Sequence, residues 1–449
     1  MASRICVIDL PGLSRALLDF IPPQSTLGRF ISSQPVAELT PSWPAVTCSV
    51  QATLTTGVAP SQHGIVANGI ATFRSAEDQR LIDASNFADY RHQISFWEQS
   101  NQFLDVRRFW QDSSGASRYK TALLFFQNSM PGFAGALKPA ADIVVTPKPE
   151  HGPDGKTTSL LWSNPHELAG HLQSGLGPFP LMNYWGPMAG IASSRWIVAA
   201  ACEVWRHHTP QLQLVYVPHL DYDLQRFGPE SPQAHQAVRD VSEALEPLLD
   251  AVSQDGARVV VLSEYAMTAV RRVIQPNRIL REAGLLRTRA TGDGHLVDYE
   301  QSDAFAMCDH QIAHVYLRRS SARDAVIDAL RSQALSEVDE RCRISHRRAG
   351  NLQFQSDQET WLDYRWWDSP DQAPSFARLV DIHRKPGYDP LELFFDPATK
   401  SIAQDATLVR GSHGASRGSD GIIIGATVQS GAAVRAVNVA GLIRALIER

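Results

Sequence analysis

The chain has 449 residues, 43% of them apolar and 20% charged, with a net charge of −5. That length buries a sizeable core, as two or three domains or as one large α/β domain with an insertion. Charges of both signs are mixed and no basic block stands out, which argues against nucleic acid or an anionic membrane as the main partner.

No apolar run approaches the roughly 20 residues of a membrane span. The five cysteines (Cys6, Cys48, Cys202, Cys308, Cys342) are scattered without a CxxC pair. They argue against a disulfide framework or a zinc knuckle and fit a reducing compartment. The N-terminus runs straight into strand-like sequence without the regions of a signal peptide, so a cytoplasmic location is expected.

In chain order, Arg4-Ile-Cys-Val-Ile-Asp9 is a short apolar run closed by a carboxylate and then by Pro11-Gly12. It reads as a buried strand whose end borders a site, or as a strand whose Asp9 caps the next helix. Pro44 ends an extended segment, because the residue before proline is pushed out of the helical region. A short helix closed by Gly57 follows, then a turn at Pro60. Thr47 stands at the start of that helix, beside its unpaired N–H groups. A hydroxyl there acts as a helix cap, the commoner use, or as a nucleophile at an anion site.

Thr121–Phe126 and Asp142–Val145 read as strands, and 147–163 as a mostly polar loop. Ile191–Trp205 has helical periodicity, Leu212–Val217 is a strand, Pro232–Ala251 is helical and Val259–Leu262 is a fourth strand. Apolar strands thus alternate with helices, and Asp9, Asp221 and Glu264 lie at or just beyond three strand ends. This pattern predicts an α/β fold, a three-layer sandwich with a mostly parallel central sheet and a metal or phosphate site on its carboxyl edge.

Residues 276–403 behave differently. A helix over NRILREAG, strand character in Ala304–Tyr316 and Gln353–Tyr364, and a helix over Ala322–Gln333 suggest an inserted α+β cap subdomain. The core is then expected from 1–275 and 404–449. Short pieces at Thr407–Arg410 and Gly421–Gly425 return to it, and the closing AGLIRALIER is an amphipathic helix. Gly414-Ala-Ser416-Arg-Gly418 matches a G-x-S-x-G elbow, but the loop-like Gly-Ser-Asp-Gly overlapping its end takes the place of the helix such an elbow needs. No G-x-G-x-x-G is present.

Thr47, then Thr53-Leu-Thr-Thr-Gly57, then Pro60-Ser-Gln-His-Gly-Ile-Val-Ala-Asn68 form one unbroken match. This stretch resembles the nucleophile segment of the nucleotide pyrophosphatase/phosphodiesterase branch of the alkaline phosphatase superfamily. Asp9, Asp221 with Gly228-Pro229, Glu264 with Met267-Thr268, and Gly411-Ser-His413-Gly414 follow in the family's order. The resemblance implies an alkaline-phosphatase-like fold and hydrolysis of phosphate esters through a phospho-threonine on Thr47. It implies one or two divalent cations. Asp9, Thr47 and Glu264 would hold one, Asp221 and His413 the other, with Asn68 contacting the phosphate. The substrate would be a small phosphate ester or nucleotide-like molecule.

Three positions depart from the family pattern. Gln225 and Tyr265 stand where it has histidines, and Glu264 stands where it has aspartate. Zn²⁺ is the family's ion, but the remaining oxygen-rich donors suit Mn²⁺, Mg²⁺ or Ca²⁺ better. Gln225 and Tyr265 are possible ligands themselves. His219 is a further one, since along a strand it would share Asp221's face. Asp309, His310, His383 and Lys385 are candidate substrate contacts, alternatively ordinary turn and core residues, as is His314. His63 reads as a structural turn residue and Cys48 as a small core residue rather than a rival nucleophile. The competing reading of the whole is a phosphate-ester binding protein whose altered metal site has lost catalysis. Phosphonate hydrolysis or phosphotransfer on the same scaffold is a third.

Overall fold

The computed structural model describes residues 4–71, 94–131, 138–151, 157–158, 160–383 and 385–448. Its frame is a nine-stranded sheet. In chain order the strands are β1 (Ile5–Asp9), β2 (Val36–Thr40), β3 (Thr121–Leu124), β4 (Ile143–Pro147), β5 (Leu161–Asn164), β6 (Leu212–Tyr216) and β7 (Arg258–Leu262). Two strands from the end of the chain, Gly421–Ile424 and Ala433–Arg435, complete it. Strand β1 lies between β6 and β7 and is parallel to both, with Asp9 opposite Tyr216 on one side and Leu262 on the other. All five β1 residues are buried, as a central strand covered on both faces requires. The pairs β6–β3 and β3–β4 are parallel too, whereas β5 and Gly421–Ile424 pair antiparallel. The expected mostly parallel α/β sheet is therefore present.

Helices α1 (Thr47–Thr56), α2 (Ile191–His208), α3 (His219–Phe227), α4 (Pro232–Gln254) and α5 (Ala436–Ile447) bury residues in the same core as these strands. Helix α4 starts where the sequence signals it: Ser231 accepts from the Ala234 N–H and Pro232 opens the first turn. Helix α1 ends at Gly57, in the left-handed conformation that glycine tolerates.

A four-stranded antiparallel sheet occupies the 304–355 region, with Ala304–Asp309 and Ile312–Leu317 as a hairpin. The strand character expected over Ala304–Tyr316 resolves into these two strands, turned at His310, whose φ is 58°. The Gln353–Tyr364 run likewise divides into Leu352–Gln355 and Thr360–Leu362. In the short piece at Thr407–Arg410, Ala406–Leu408 forms a 3₁₀ turn, and it leads into the strand Gly411–Ser412. Part of the loop expected over 147–163 lies outside the described residues, and its end, Leu161–Asn164, is the edge strand β5. The second sheet has its own apolar cluster, including Phe305, Phe354, Tyr364 and Trp366, joined by Ala67 and Phe96. Residues near α1 are thereby tied to both cores.

One close approach holds the late strand in place. A Cβ on Gly411 would stand 2.1 Å from the Leu224 carbonyl oxygen of α3. Backbone against backbone cannot relax cheaply, so Gly411→Ala is expected to cost on the order of 1–3 kcal/mol, as overpacking does. Chemical denaturation checks this, and an unchanged midpoint would show that the two backbones separate freely.

Candidate active site

The parallel pairing of β1 and β7 decides where the acidic groups meet. Asp9 ends β1, and Glu264 lies two residues beyond β7. Both are fully buried. Their carboxyl groups face each other beside Gln51, with the Thr47 hydroxyl against Glu264. No well-formed hydrogen bond closes on any of their four oxygens. Burial pushes both groups up from the carboxylate range, Asp9 to about 7, and the Asp9 charge raises Glu264 further.

Thr47 is the first residue of α1. The cap position belongs to Val46, which offers no side-chain acceptor. The acceptor comes from Asn68 instead, whose Oδ1 takes the Cys48 N–H at 2.9 Å. The Thr47 hydroxyl is therefore free for another partner, and Oγ1 lies 3.0 Å from the Tyr265 hydroxyl. Tyr265 donates its one proton to Asp221 Oδ1 at 3.0 Å, so Thr47 is the donor to Tyr265. The second Asp221 oxygen accepts from Gln225 Nε2 at 2.6 Å, and Gln225 Oε1 accepts from the Tyr388 hydroxyl at 2.9 Å. Burial raises Asp221 to about 7 against the opposing pull of Tyr265 and Gln225.

His413 follows the Gly411–Ser412 strand, which pairs with Thr268–Ala269. Its Nδ1 donates to the Ala45 carbonyl at 2.7 Å, leaving a bare lone pair on Nε2, 3.9 Å from Asp221 Oδ1. The ring stacks on Tyr265 at 3.6 Å and lies 3.8 Å from His310, which stacks on Tyr388 at 3.7 Å. Burial in this column, then the neighbouring His310, hold His413 well below its ordinary value, so it is neutral.

The remaining candidates divide. Asp309 and His310 belong to the site's support: Asp309 accepts from the Asn68 N–H at 2.8 Å, from its amide at 3.2 Å and from His310 Nδ1 at 2.7 Å. Asn68 is thus engaged in holding α1 against the second sheet. His383 lines the cavity and bonds through Nδ1 to the Phe96 carbonyl. Lys385 does not reach the site: it is fully buried and paired with Asp389 at 2.7 Å and Glu392 at 2.8 Å. His219 does not share Asp221's face, because both stand on helix α3 rather than on a strand. Two helical steps turn side chains by roughly 200°, to opposite sides. Gln225 presents its amide nitrogen to Asp221, the wrong end for a metal ligand. His63 is a turn residue, with Nε2 on Thr53 and Nδ1 on the Ile65 N–H, and His314 is similarly engaged.

Thr47, Asp221, Tyr265, His310 and Tyr388 border a cavity of about 450 Å³, within the usual range for small-ligand sites. Phe96, Trp97, Tyr184, Trp185, Tyr216 and Tyr222 add aromatic wall. Tyr388 was not singled out in the sequence. It lies in the His383–Pro390 segment beside His383 and Lys385, and nothing local marks its phenol.

Among the described residues, no three His, Cys, Asp or Glu side chains converge as a metal-ligand group. The pair Asp9 and Glu264, with Thr47, does fit a divalent cation: four buried carboxyl oxygens without a well-formed hydrogen bond call for a positive partner or a proton.

The model of the family described as type I phosphodiesterase/nucleotide pyrophosphatase matches residues 5–389. Among solved structures, the chain is similar to mouse ectonucleotide pyrophosphatase/phosphodiesterase 5, at 15% identity and a TM-score of 0.59, over 99% of this chain and 95% of that one. An inactive variant of that protein in complex with AMP matches at 14% identity and 0.60, over the same shares. Phosphonoacetate hydrolase from Sinorhizobium meliloti, in complex with phosphonoformate, matches at 14% and 0.59, over 99% of this chain and 96% of that one. No curated protein matches the chain. Among the described residues, no helix is long and apolar enough to cross a membrane.

Two predictions separate site from support. Lys385→Met leaves Glu392 buried without its paired cation and Asp389 without its hydrogen-bonded one. It is expected to cost on the order of 3–5 kcal/mol in stability, read by denaturation, whereas a ligand-contact role would change binding alone. The raised Glu264 contributes stability that is full below about pH 4 and is lost as pH rises through its folded value. In chelator, Glu264→Gln should therefore gain in melting temperature relative to wild type as pH rises above the ordinary carboxylate range. A pH-independent difference would show that the carboxyl is not desolvated as described.

Proposed function

Because this chain belongs to the type I phosphodiesterase/nucleotide pyrophosphatase family, a family of phosphoester hydrolases, we propose that it hydrolyses a small phosphate ester through a phospho-threonine on Thr47 with a divalent cation held at Asp9 and Glu264. The observation that carries the reading is the position of the Thr47 hydroxyl. It stands on the cavity wall at the first turn of α1, hydrogen-bonded to Tyr265 and next to the buried carboxyl pair.

The cation, when bound, supplies charge stabilisation for the phosphoryl oxygens and lowers the cost of forming the threonine alkoxide. The family's usual ion is Zn²⁺, and the oxygen donors here also suit Mn²⁺ or Mg²⁺. The chain's own groups do the rest. The N-terminus of α1, which reaches the cavity at Thr47, brings the positive end of the helix dipole to the ester's negative charge. Thr47 Oγ1 attacks phosphorus while its proton moves to Tyr265 Oη, whose own proton moves to Asp221 Oδ1. The Oγ–P bond forms, the bond to the leaving oxygen breaks, and the leaving alcohol takes up a proton from solvent. Water then attacks phospho-Thr47, the Oγ–P bond breaks, and a proton returns to Oγ1 along the same chain. The Tyr265–Asp221–Gln225–Tyr388 hydrogen bonds keep the relay aligned before substrate arrives.

The aromatic wall favours an ester whose leaving group is flat or apolar, which includes nucleotide-like molecules; one solved relative is in complex with AMP. The capping of both Asp221 oxygens by Tyr265 and Gln225 favours the second reading, a binding protein without turnover. Phosphonates are a third substrate class to screen, since one similar solved structure is a phosphonoacetate hydrolase.

With p-nitrophenyl phosphate and a diester analogue, Thr47→Ala is expected to lose on the order of 10³-fold or more in kcat. Acid-quenched wild type should carry phosphate on the Thr47 peptide by mass spectrometry. Full activity in Thr47→Ala would remove the nucleophile assignment, and no turnover with any cation by wild type would favour the binding protein. Tyr265→Phe should lower kcat by roughly 10²–10⁴-fold with little change in KM, the range for a proton-transfer group.

A further inference from the structure

We infer that the site takes one divalent cation rather than two, and that the Tyr265 phenol and Gln225 amide occupy the coordination places of the second. This rests on the metal-dependent reading above and narrows it. The two groups of candidate ligands differ in what their lone pairs do. At Asp9 and Glu264 no well-formed hydrogen bond reaches any oxygen, and both side chains are fully buried. At Asp221 both oxygens already accept: Oδ1 from the Tyr265 hydroxyl at 3.0 Å, Oδ2 from the Gln225 amide at 2.6 Å. Gln225 presents its nitrogen because its oxygen is taken by the Tyr388 hydroxyl at 2.9 Å. Turning the amide would bring two acceptors together at Asp221 and give up the hydrogen bond that Oε1 accepts from Tyr388.

What remains for a second cation is His413 Nε2, 3.9 Å from Asp221 Oδ1. One imidazole and one carboxylate with its oxygens already hydrogen-bonded is fewer than the three protein ligands a divalent site ordinarily uses. The Tyr265 hydroxyl lies between Thr47 Oγ1 and Asp221 Oδ1, at 3.0 Å from each. It is held there by the ring stacked on His413 at 3.6 Å and 8° between planes. A neutral donor thereby satisfies Asp221, and the Thr47 hydroxyl is oriented by a hydrogen bond on the side where a second cation would otherwise stand. Only the Asp9 side is left needing positive charge.

The test is cation stoichiometry, read without turnover. Chelator-treated full-length protein is titrated with Mn²⁺ by calorimetry, with bound metal counted by elemental analysis and by the Mn²⁺ electron paramagnetic resonance spectrum. One equivalent with an uncoupled spectrum is expected. Glu264→Gln should lose it, and Asp221→Asn should keep it. The double variant Tyr265→His/Gln225→His, checked for folding by circular dichroism, should gain a second equivalent. Two equivalents in the wild type, or metal lost in Asp221→Asn and kept in Glu264→Gln, would overturn the inference and leave the metal-dependent reading standing. No bound Mn²⁺ in the wild type would overturn both. A folded double variant that still takes one equivalent would show that Tyr265 and Gln225 are not what excludes the second.

Discussion

Two carboxyl groups that repel each other are held together in a dry place, and the rest of the site is arranged around them. Strands β1 and β7 run parallel in register, so the chain leaves both at the same edge and at the same height. Asp9 and Glu264 meet there fully buried and without well-formed hydrogen bonds. Such a pair is tolerable in a folded protein only when a proton or a cation is shared between its members. The sheet's interior packing supplies the constraint: strand β1 is buried along its whole length and cannot shift to relieve it.

Beside that pair, polar groups are satisfied in a chain. Thr47 donates to Tyr265, Tyr265 to Asp221, Gln225 to Asp221 and Tyr388 to Gln225. A stack of four rings, Tyr265, His413, His310 and Tyr388, runs alongside it. Asn68 and Asp309 fasten the start of α1 to the edge of the second sheet. The start of α1, with Thr47, is thus fastened to both apolar cores.

Much of this was legible from residue order. The apolar runs ending in acidic residues announce strands with a site at their carboxyl edge. Pro44, Thr47 and Gly57 bracket α1 by local rules of backbone conformation. The long match from Thr47 to Asn68 pointed to phosphoester chemistry before any coordinate. His219 misled, because its pairing with Asp221 assumed a period of two and the chain had already turned into helix α3. Lys385 misled because charge alone does not show that Asp389 and Glu392 lie four and seven residues on, in the same buried turn.

The sequence by itself determined which elements form and which family's chemistry they serve, since strand alternation, helix punctuation and a contiguous motif are all local properties. It also showed that two expected imidazoles are replaced by Gln225 and Tyr265. Only the tertiary structure decided what those replacements do. Whether a glutamine offers oxygen or nitrogen, and whether a phenol fills a ligand's place or leaves it open, depends on partners such as Asp221, Tyr388 and His413, up to 163 residues away in the chain. Hydrogen-bond direction is fixed by the partner's remaining lone pairs, and no local pattern records those.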